Sequence, residues 1–156
     1  MSIFSDLEDG LVAMLKGSPG LEGVKTFETS VRECLFSGDK LTQGFRTDEL
    51  PAINVSAQLK PSRSNPFSAG EKQYEIPLTV AIVTRATKGK LALQAVYELQ
   101  TAVEGILDQA RRSGNALGAN VLVTGEVTSS ATTIFEKPYG FAISSTDATV
   151  LKVVEL

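Results

Sequence analysis

The chain has 156 residues, a formal net charge of -3, one cysteine and no histidine. A single cysteine excludes an intramolecular disulfide, and the lack of histidine removes the commonest general base and metal ligand. The mildly negative charge argues against a chain that binds polyanions over its whole surface. Its 42% hydrophobic and 21% charged residues are typical of a soluble globular domain, and we expect residues 1–156 to form one domain.

The N-terminal sequence MSIFSDLEDG lacks the basic and apolar regions of a secretory signal. No apolar run approaches the roughly 20 residues that span a bilayer. We therefore expect no membrane contact, and a protein that works in the cytoplasm or in a particle assembled there.

The first predicted element is a helix. Apolar residues recur at three- and four-residue spacing, which gives one apolar stripe. They are Ile3, Leu7, Leu11 and Met14 or Leu15. Ser2 is suited to cap the helix, and Gly17 to end it. The acidic residues Asp6, Glu8 and Asp9 are interpreted as solvated charges near the positive end of the helix dipole.

Residues 24–50 predict one or two short strands followed by a polar loop. The segment that follows them predicts a β-hairpin. Alternation then predicts a strand over residues 53–59 and a longer one, QYEIPLTVAIVT, over residues 73–84. The connection Lys60–Lys72 contains two prolines and a glycine, which predicts a long, flexible tip. Pro77 has no N–H, so we expect it near a sheet edge or at a break in the ladder.

The strongest helical pattern runs from about Thr87 to Arg112. Its predicted apolar stripe consists of Leu91, Ala95, Leu99, Ala102, Val103, Ile106, Leu107 and Ala110. Three strands are predicted to follow, over residues 120–127, 131–137 and 139–156, with a turn at Pro138, Tyr139 and Gly140. The Ser/Thr clusters TSSATT and SSTDAT are interpreted as coating exposed strand ends.

This order predicts an α+β fold. Strand pairs and helices are segregated along the chain rather than alternating. We expect an antiparallel or mixed β-sheet with two α-helices packed on one face, and a long β-hairpin.

No motif predicts catalysis, a cofactor or a metal. Cys34 is interpreted as a small core residue in a short strand. The stretch TRATKGKL resembles a phosphate loop, but it has no glycine at the first position, and Leu91 stands where a magnesium-binding Ser or Thr belongs. We therefore expect no catalytic residues, no cofactor and no enzyme activity.

Two basic segments are candidates for contact with partners. Lys60, Arg63 and Lys72 make the hairpin tip basic, and Phe67 adds an apolar anchor. The tip is either a mobile surface loop, or an arm that orders on a neighbouring subunit or beside a phosphate backbone. Lys88 and Lys90, at a helix N-terminus, are either solvated or meet an acidic surface on a partner.

The order and size of these elements resemble the tail terminator, or tail completion, proteins of long-tailed bacteriophages. The resemblance is carried by SIFSDLEDGLVAMLKG, LPAINV, YEIPLTVAIVT, KLALQAVYELQTAVEGILDQARR and the closing strands. Residues 24–49 have no counterpart. The family implies a hexameric ring on the head-proximal end of the tail tube, which stops tube growth and meets the head connector.

That resemblance implies a virion protein whose partners are copies of itself, the tail tube protein and the connector, with non-specific contact to DNA in the channel. The residues expected at such interfaces are Lys60, Arg63, Phe67, Lys72, Pro77, Lys88 and Lys90. Two other classes stay open: another neck or head-completion protein, and a small ligand-binding domain.

Overall fold

The computed structural model describes residues 2–29, 49–57, 61–113, 121–136 and 139–155. This part of the chain forms two helices and six strands. In chain order they are α1 (Ile3–Lys16), β1 (Thr26–Thr29), β2 (Ala52–Ser56), β3 (Arg63–Ser68), β4 (Glu71–Ala86), α2 (Gly89–Ser113), β5 (Val121–Glu136) and β6 (Tyr139–Glu155). The predicted α+β class is confirmed.

The strands form one mixed sheet in the order β1-β2-β4-β6-β5, and β3 also pairs with β4. Strands β1 and β2 are parallel, and every other pair is antiparallel. β4 is 16 residues long, β5 is 16 and β6 is 17, so these three strands form the body of the sheet. The predicted pairing of the LPAINV strand with the long strand is confirmed, because Ile53 lies opposite Ile82.

Both helices pack on one face of the sheet, as predicted. The helices and the sheet share one apolar core. Its members include Leu7, Leu11 and Leu15 of α1, Val96, Val103 and Leu107 of α2, and Ile53, Ile76, Leu78, Val80 and Ile82 of the sheet. The predicted limits of α1 are also confirmed. The Phe4 N–H donates to Ser2 Oγ at 3.1 Å, and Gly17 is the C-cap.

At the N-terminal end of α2, the residues that face the sheet differ from those of the predicted apolar stripe. Leu91 is 48% exposed, whereas Ala92 and Val96 are buried. One residue turns a helix by about 100°, and the line Ala92, Val96, Val103, Leu107 is the one that faces the sheet. Leu91 lies off this line and remains at the surface.

Polar contacts also attach α2 to the sheet. Ser129 Oγ donates to Glu104 Oε1 at 2.5 Å and lies 3.0 Å from Thr146 Oγ1, while Ser144 Oγ donates to Gln100. Ser144 and Thr146 are completely buried. The Ser/Thr clusters were interpreted as lying on exposed strand ends. For Ser144 and Thr146 this was wrong, because α2 covers them and its Gln100 and Glu104 side chains face the sheet.

The last part of the chain holds two strands where three were predicted. β5 continues from Val121 to Glu136, and its register against β6 shifts between Thr124 and Thr128. There, residues 125–127 of β5 face residue 148 of β6 in a bulge. Residues 128–130, where the break was predicted, pair regularly with β6. Tyr139 and Gly140 already belong to β6, so the predicted turn was wrong for these two residues, and Pro138 lies outside the described residues.

Gly140 lies against the N-terminus of α2. A Cβ at this position would lie 2.5 Å from Gly89 Cα, 2.7 Å from the carbonyl carbon of Lys88, and closer still to the Gly89 nitrogen. Such distances are shorter than real Cβ contacts, so only glycine fits. This close approach sets the start of α2 at the end of β4, where Ala86 pairs with Gly140.

The face of the sheet opposite the helices has a second, smaller apolar cluster. It consists of Leu50, Ala52, Ala81, Val83, Phe141 and Ile143. Of the predicted weak region, β1 is one short strand, whereas the expectations for Cys34 and for the polar loop lie outside the described residues.

Candidate assembly surface

The predicted flexible tip contains a strand. β3 pairs with residues 71–75 of β4, and Ala69 and Gly70 make the turn between them. Gly70 has a φ of 82°, which glycine adopts without strain. Residues 63–72 of the predicted tip therefore form a tight hairpin, which this glycine closes.

The described side chains of β3 bury little surface within their own chain. Every β3 side chain that the structure describes is exposed. These are Arg63, Ser64, Asn65, Pro66 and Ser68. In the described part of the chain, β3 pairs only with β4, so it is an edge strand. An ordered edge strand presents backbone donors and acceptors to a further strand.

The basic residues of the hairpin differ in their surroundings. Arg63 is exposed at the sheet edge and lies opposite Glu75. Lys72 is half-buried, with its Nζ 5.6 Å from the ring centroid of Tyr74. That ring meets Phe4 of α1 edge to face at 6.4 Å. Lys72 is thus held on the helix side of the hairpin, close to its turn.

Pro77 lies at a break in the sheet, as predicted. β4 pairs with β3 through residues 71–75 and with β2 through residues 79–83. Between these segments, residues 76–78 pair with no described residue on that side, although Pro77 still lies opposite Thr149 of β6. The residue without an N–H therefore falls where β4 changes from one neighbour to the other.

Lys88 and Lys90 are exposed at the N-terminus of α2, where they were expected. The structure does not bring them near the hairpin. They follow the end of β4 at Ala86, whereas Lys72 lies near its start, about 45 Å away at roughly 3.3 Å per residue. The predicted interface residues therefore belong to two separate surfaces.

The two remaining predicted residues are Phe67 and Lys60. Phe67 belongs to β3, at the register shift between Pro66 and Ser68. Lys60 lies outside the described residues.

The opposite edge of the sheet carries a residue that the sequence did not single out. Leu122 of β5 is 44% exposed. Its neighbours Val121 and Val123 point into the core under the helices, so Leu122 faces the other side, opposite the half-buried Leu151. The available signal in the sequence was the uninterrupted apolar run VLV.

Two observations on the described residues bear on small-molecule binding. They contain no group of three or more His, Cys, Asp or Glu that could hold a metal ion. A groove of about 250 Å³ lies between the C-terminal parts of the two helices. It is lined by Met14, Ser18, Ile106, Gln109, Ala110 and Ser113. No lining residue carries a charge.

Neither helix in the described part of the chain is long and apolar enough to cross a membrane. No protein-family profile matches the chain, and no curated protein matches it.

Proposed function

We propose that this chain is a structural subunit that assembles with copies of itself into a ring, and that the ring caps the head-proximal end of a bacteriophage tail tube. The observation that carries the self-assembly is strand β3. It is ordered at the sheet edge, yet each of its described side chains is exposed.

The free energy of forming β3 supports its contact with a partner. Fixing the backbone of each residue costs about 1–2 kcal/mol. A hydrogen bond to β4 returns a net of only about 0.5–1.5 kcal/mol, and no described side chain of β3 adds the free energy of apolar burial. A second strand on its outer edge would add another ladder of hydrogen bonds. β3 is therefore better explained as part of an interface than as part of the core.

The tube-capping role is supported by the resemblance in element order. The described chain runs from a first helix through a strand pair and a 25-residue helix to closing strands, the order that resembles the tail terminator proteins. The proposed partners are a second copy of the chain, the tail tube protein and the head connector. The proposal requires no catalytic step.

Electron microscopy of tail tubes with tagged protein tests this function. We expect six-fold rings in end views, and one cluster of tag at a single end of each tube. Tag distributed along the tube would contradict capping. Purified tailless heads are the matched sample for comparison with the tail tubes. Tag that stays with these heads would indicate a neck protein instead.

A further inference from the structure

We infer that neighbouring subunits join edge to edge, with β1 of one copy paired antiparallel to β5 of the next. This inference rests on the proposed ring and identifies the strands that close it. In the described part of the chain, β1 pairs only with β2 and β5 pairs only with β6, so these two strands are the outermost of the sheet path. The occupant of each edge is a second copy of this chain.

The directions of the strands support this junction. β1 is parallel to β2, and β2 is antiparallel to β4. β4 is antiparallel to β6, and β6 to β5. β1 and β5 therefore run in opposite directions at the two sides of the sheet. Copies related by rotation about an axis parallel to the strands keep those directions, and such head-to-tail contacts between unlike edges close into rings.

The two edges also lie at the same level of the sheet. Phe27 of β1 lies opposite Ile53, and Ile53 lies opposite Ile82. Ile82 lies opposite Ser144, and Ser144 lies opposite Ala131 of β5. These residues form one row across five strands, about 19 Å wide at roughly 4.8 Å per step. Every row of β1 reaches β5 in this way, so the rotation brings the two edges together at the same height.

The side chains at this level are suited to the pairing. Phe27 and Ala131 are both partly buried and pack against the core under the helices. In the junction they become cross-strand neighbours, so the apolar core of one copy continues into the next. On the other face, Glu28 is level with Ser130. No described side chain of β5 carries a charge, so the pairing brings no like charges together among them.

The junction also includes the edge of β3. β3 pairs with β4 on the same side as β2, so it lies one strand further in than β1. Arg63 of β3 shares a row with Leu122 of β5, through Glu75 and Leu151. Leu122 of the next copy therefore comes level with the β3 edge, about 10 Å away at two strand spacings. The exposed β3 edge and the exposed Leu122 thus face each other across the junction.

Disulfide trapping between two different variants tests the junction. Both chains carry Cys34→Ser. One carries Glu28→Cys on β1, and the other carries Ser130→Cys or Thr128→Cys on β5. These three positions alternate with neighbours that pack against the core, so they lie on the sheet face away from the helices. Thr29→Cys, on the opposite face of β1, is the matched control.

The expected result is a mixed disulfide-linked dimer that exceeds either homodimer about tenfold and is lost with Thr29→Cys, because a disulfide needs Cβ atoms roughly 3.5–4.5 Å apart. It should be strongest for Ser130→Cys, which is level with Glu28. Rings by native mass spectrometry without a mixed dimer at either β5 position would overturn the junction and leave the ring intact. Homodimers in the separate samples would indicate two-fold pairing and also overturn it.

Hydrogen–deuterium exchange of the unchanged chain gives a second measurement, which needs no variant. The amides of β1 and those of residues 128–132 should both slow about tenfold when the ring forms. Unchanged exchange in either strand within a complete ring would overturn the junction. Absence of rings at every concentration would count against the proposed function itself.

Discussion

The carboxylate of Glu8 accepts a hydrogen bond from the backbone N–H of Ala57, with 2.8 Å between Oε2 and N. Glu8 is only 5% exposed, so the interpretation of this residue as a solvated helix charge was wrong. Ala57 follows directly after β2, where its N–H lies buried beneath α1. The bond therefore joins the first helix to the end of a central strand, at a sequence separation of 49 residues.

Replacing Glu8 by alanine is expected to lower the free energy of unfolding by about 1–3 kcal/mol, because the buried N–H of Ala57 loses its acceptor. Glu8→Gln keeps an acceptor oxygen and should lose less. Urea denaturation measures both. Asp9→Ala, at an exposed acid on the same helix, is the control and should change stability by less than about 0.5 kcal/mol. Equal losses in the Glu8→Ala and Asp9→Ala variants would contradict the assigned contact.

Gly140 provides a test of the contact between α2 and β6. Gly140→Ala places a methyl group against the backbone of Gly89, and we expect a destabilisation of about 3 kcal/mol or more. Gly23→Ala is the matched control, since its added Cβ meets nothing within 4 Å. Thermal unfolding followed by circular dichroism compares the two. A Gly140→Ala variant as stable as Gly23→Ala would show that α2 does not start against β6.

Replacement of Gly105 by alanine is expected to increase stability. It lies inside α2, is exposed, and has nothing within 4 Å of an added Cβ. Gly105→Ala should therefore raise the free energy of unfolding by about 0.5–1 kcal/mol, because alanine loses less backbone entropy in a helix. The urea midpoint should rise with an unchanged slope. A fall in stability would mean that another group occupies the space beside Gly105.

Local patterns predicted the elements that are determined locally. The limits of α1 follow from Ser2 and Gly17. The alternation that predicted β4 reflects its two faces, because Ile76, Leu78, Val80 and Ile82 all lie in the core under the helices. Two features depended on distant partners instead. Glu8 is buried because Ala57 approaches it in the fold, and Ser144 is buried because Gln100 lies above it. Neither approach leaves a local signal in the sequence.

The candidate surface was predicted only in part, for a related reason. Arg63 was identified by its charge, but β3 has no apolar alternation, so its strand character depends on the turn at Gly70 and the pairing with β4. Lys72 and Lys88 were grouped by charge, although the length of β4 separates them. Leu122 was missed because its exposure depends on β5 being an edge strand, which only the sheet order reveals.

Leu122→Ser is expected to weaken assembly without unfolding the single chain. Covering the remaining exposed surface of Leu122 would contribute about 1 kcal/mol at each junction, roughly half the value of a fully buried leucine. Leu91→Ser is the matched control, because Leu91 is similarly exposed at 48% but lies on α2. In a dilution series followed by native mass spectrometry, rings of Leu122→Ser should dissociate at a higher protein concentration than rings of the unchanged chain. Rings of Leu91→Ser should dissociate at the same concentration as those of the unchanged chain. Equal effects of the two changes would exclude Leu122 from the interface.

Hydrogen–deuterium exchange in β3 tests the central claim most directly. The amides of residues 63–68, except Pro66, which has none, are measured in the single chain and in the assembled ring. β6 is the internal reference because it is paired on both sides in either state. The account predicts that exchange in β3 slows at least about tenfold on assembly, equivalent to roughly 1.4 kcal/mol of protection, while β6 is unchanged. An unchanged rate in β3 within a fully formed ring would contradict the claim that this strand is an assembly surface.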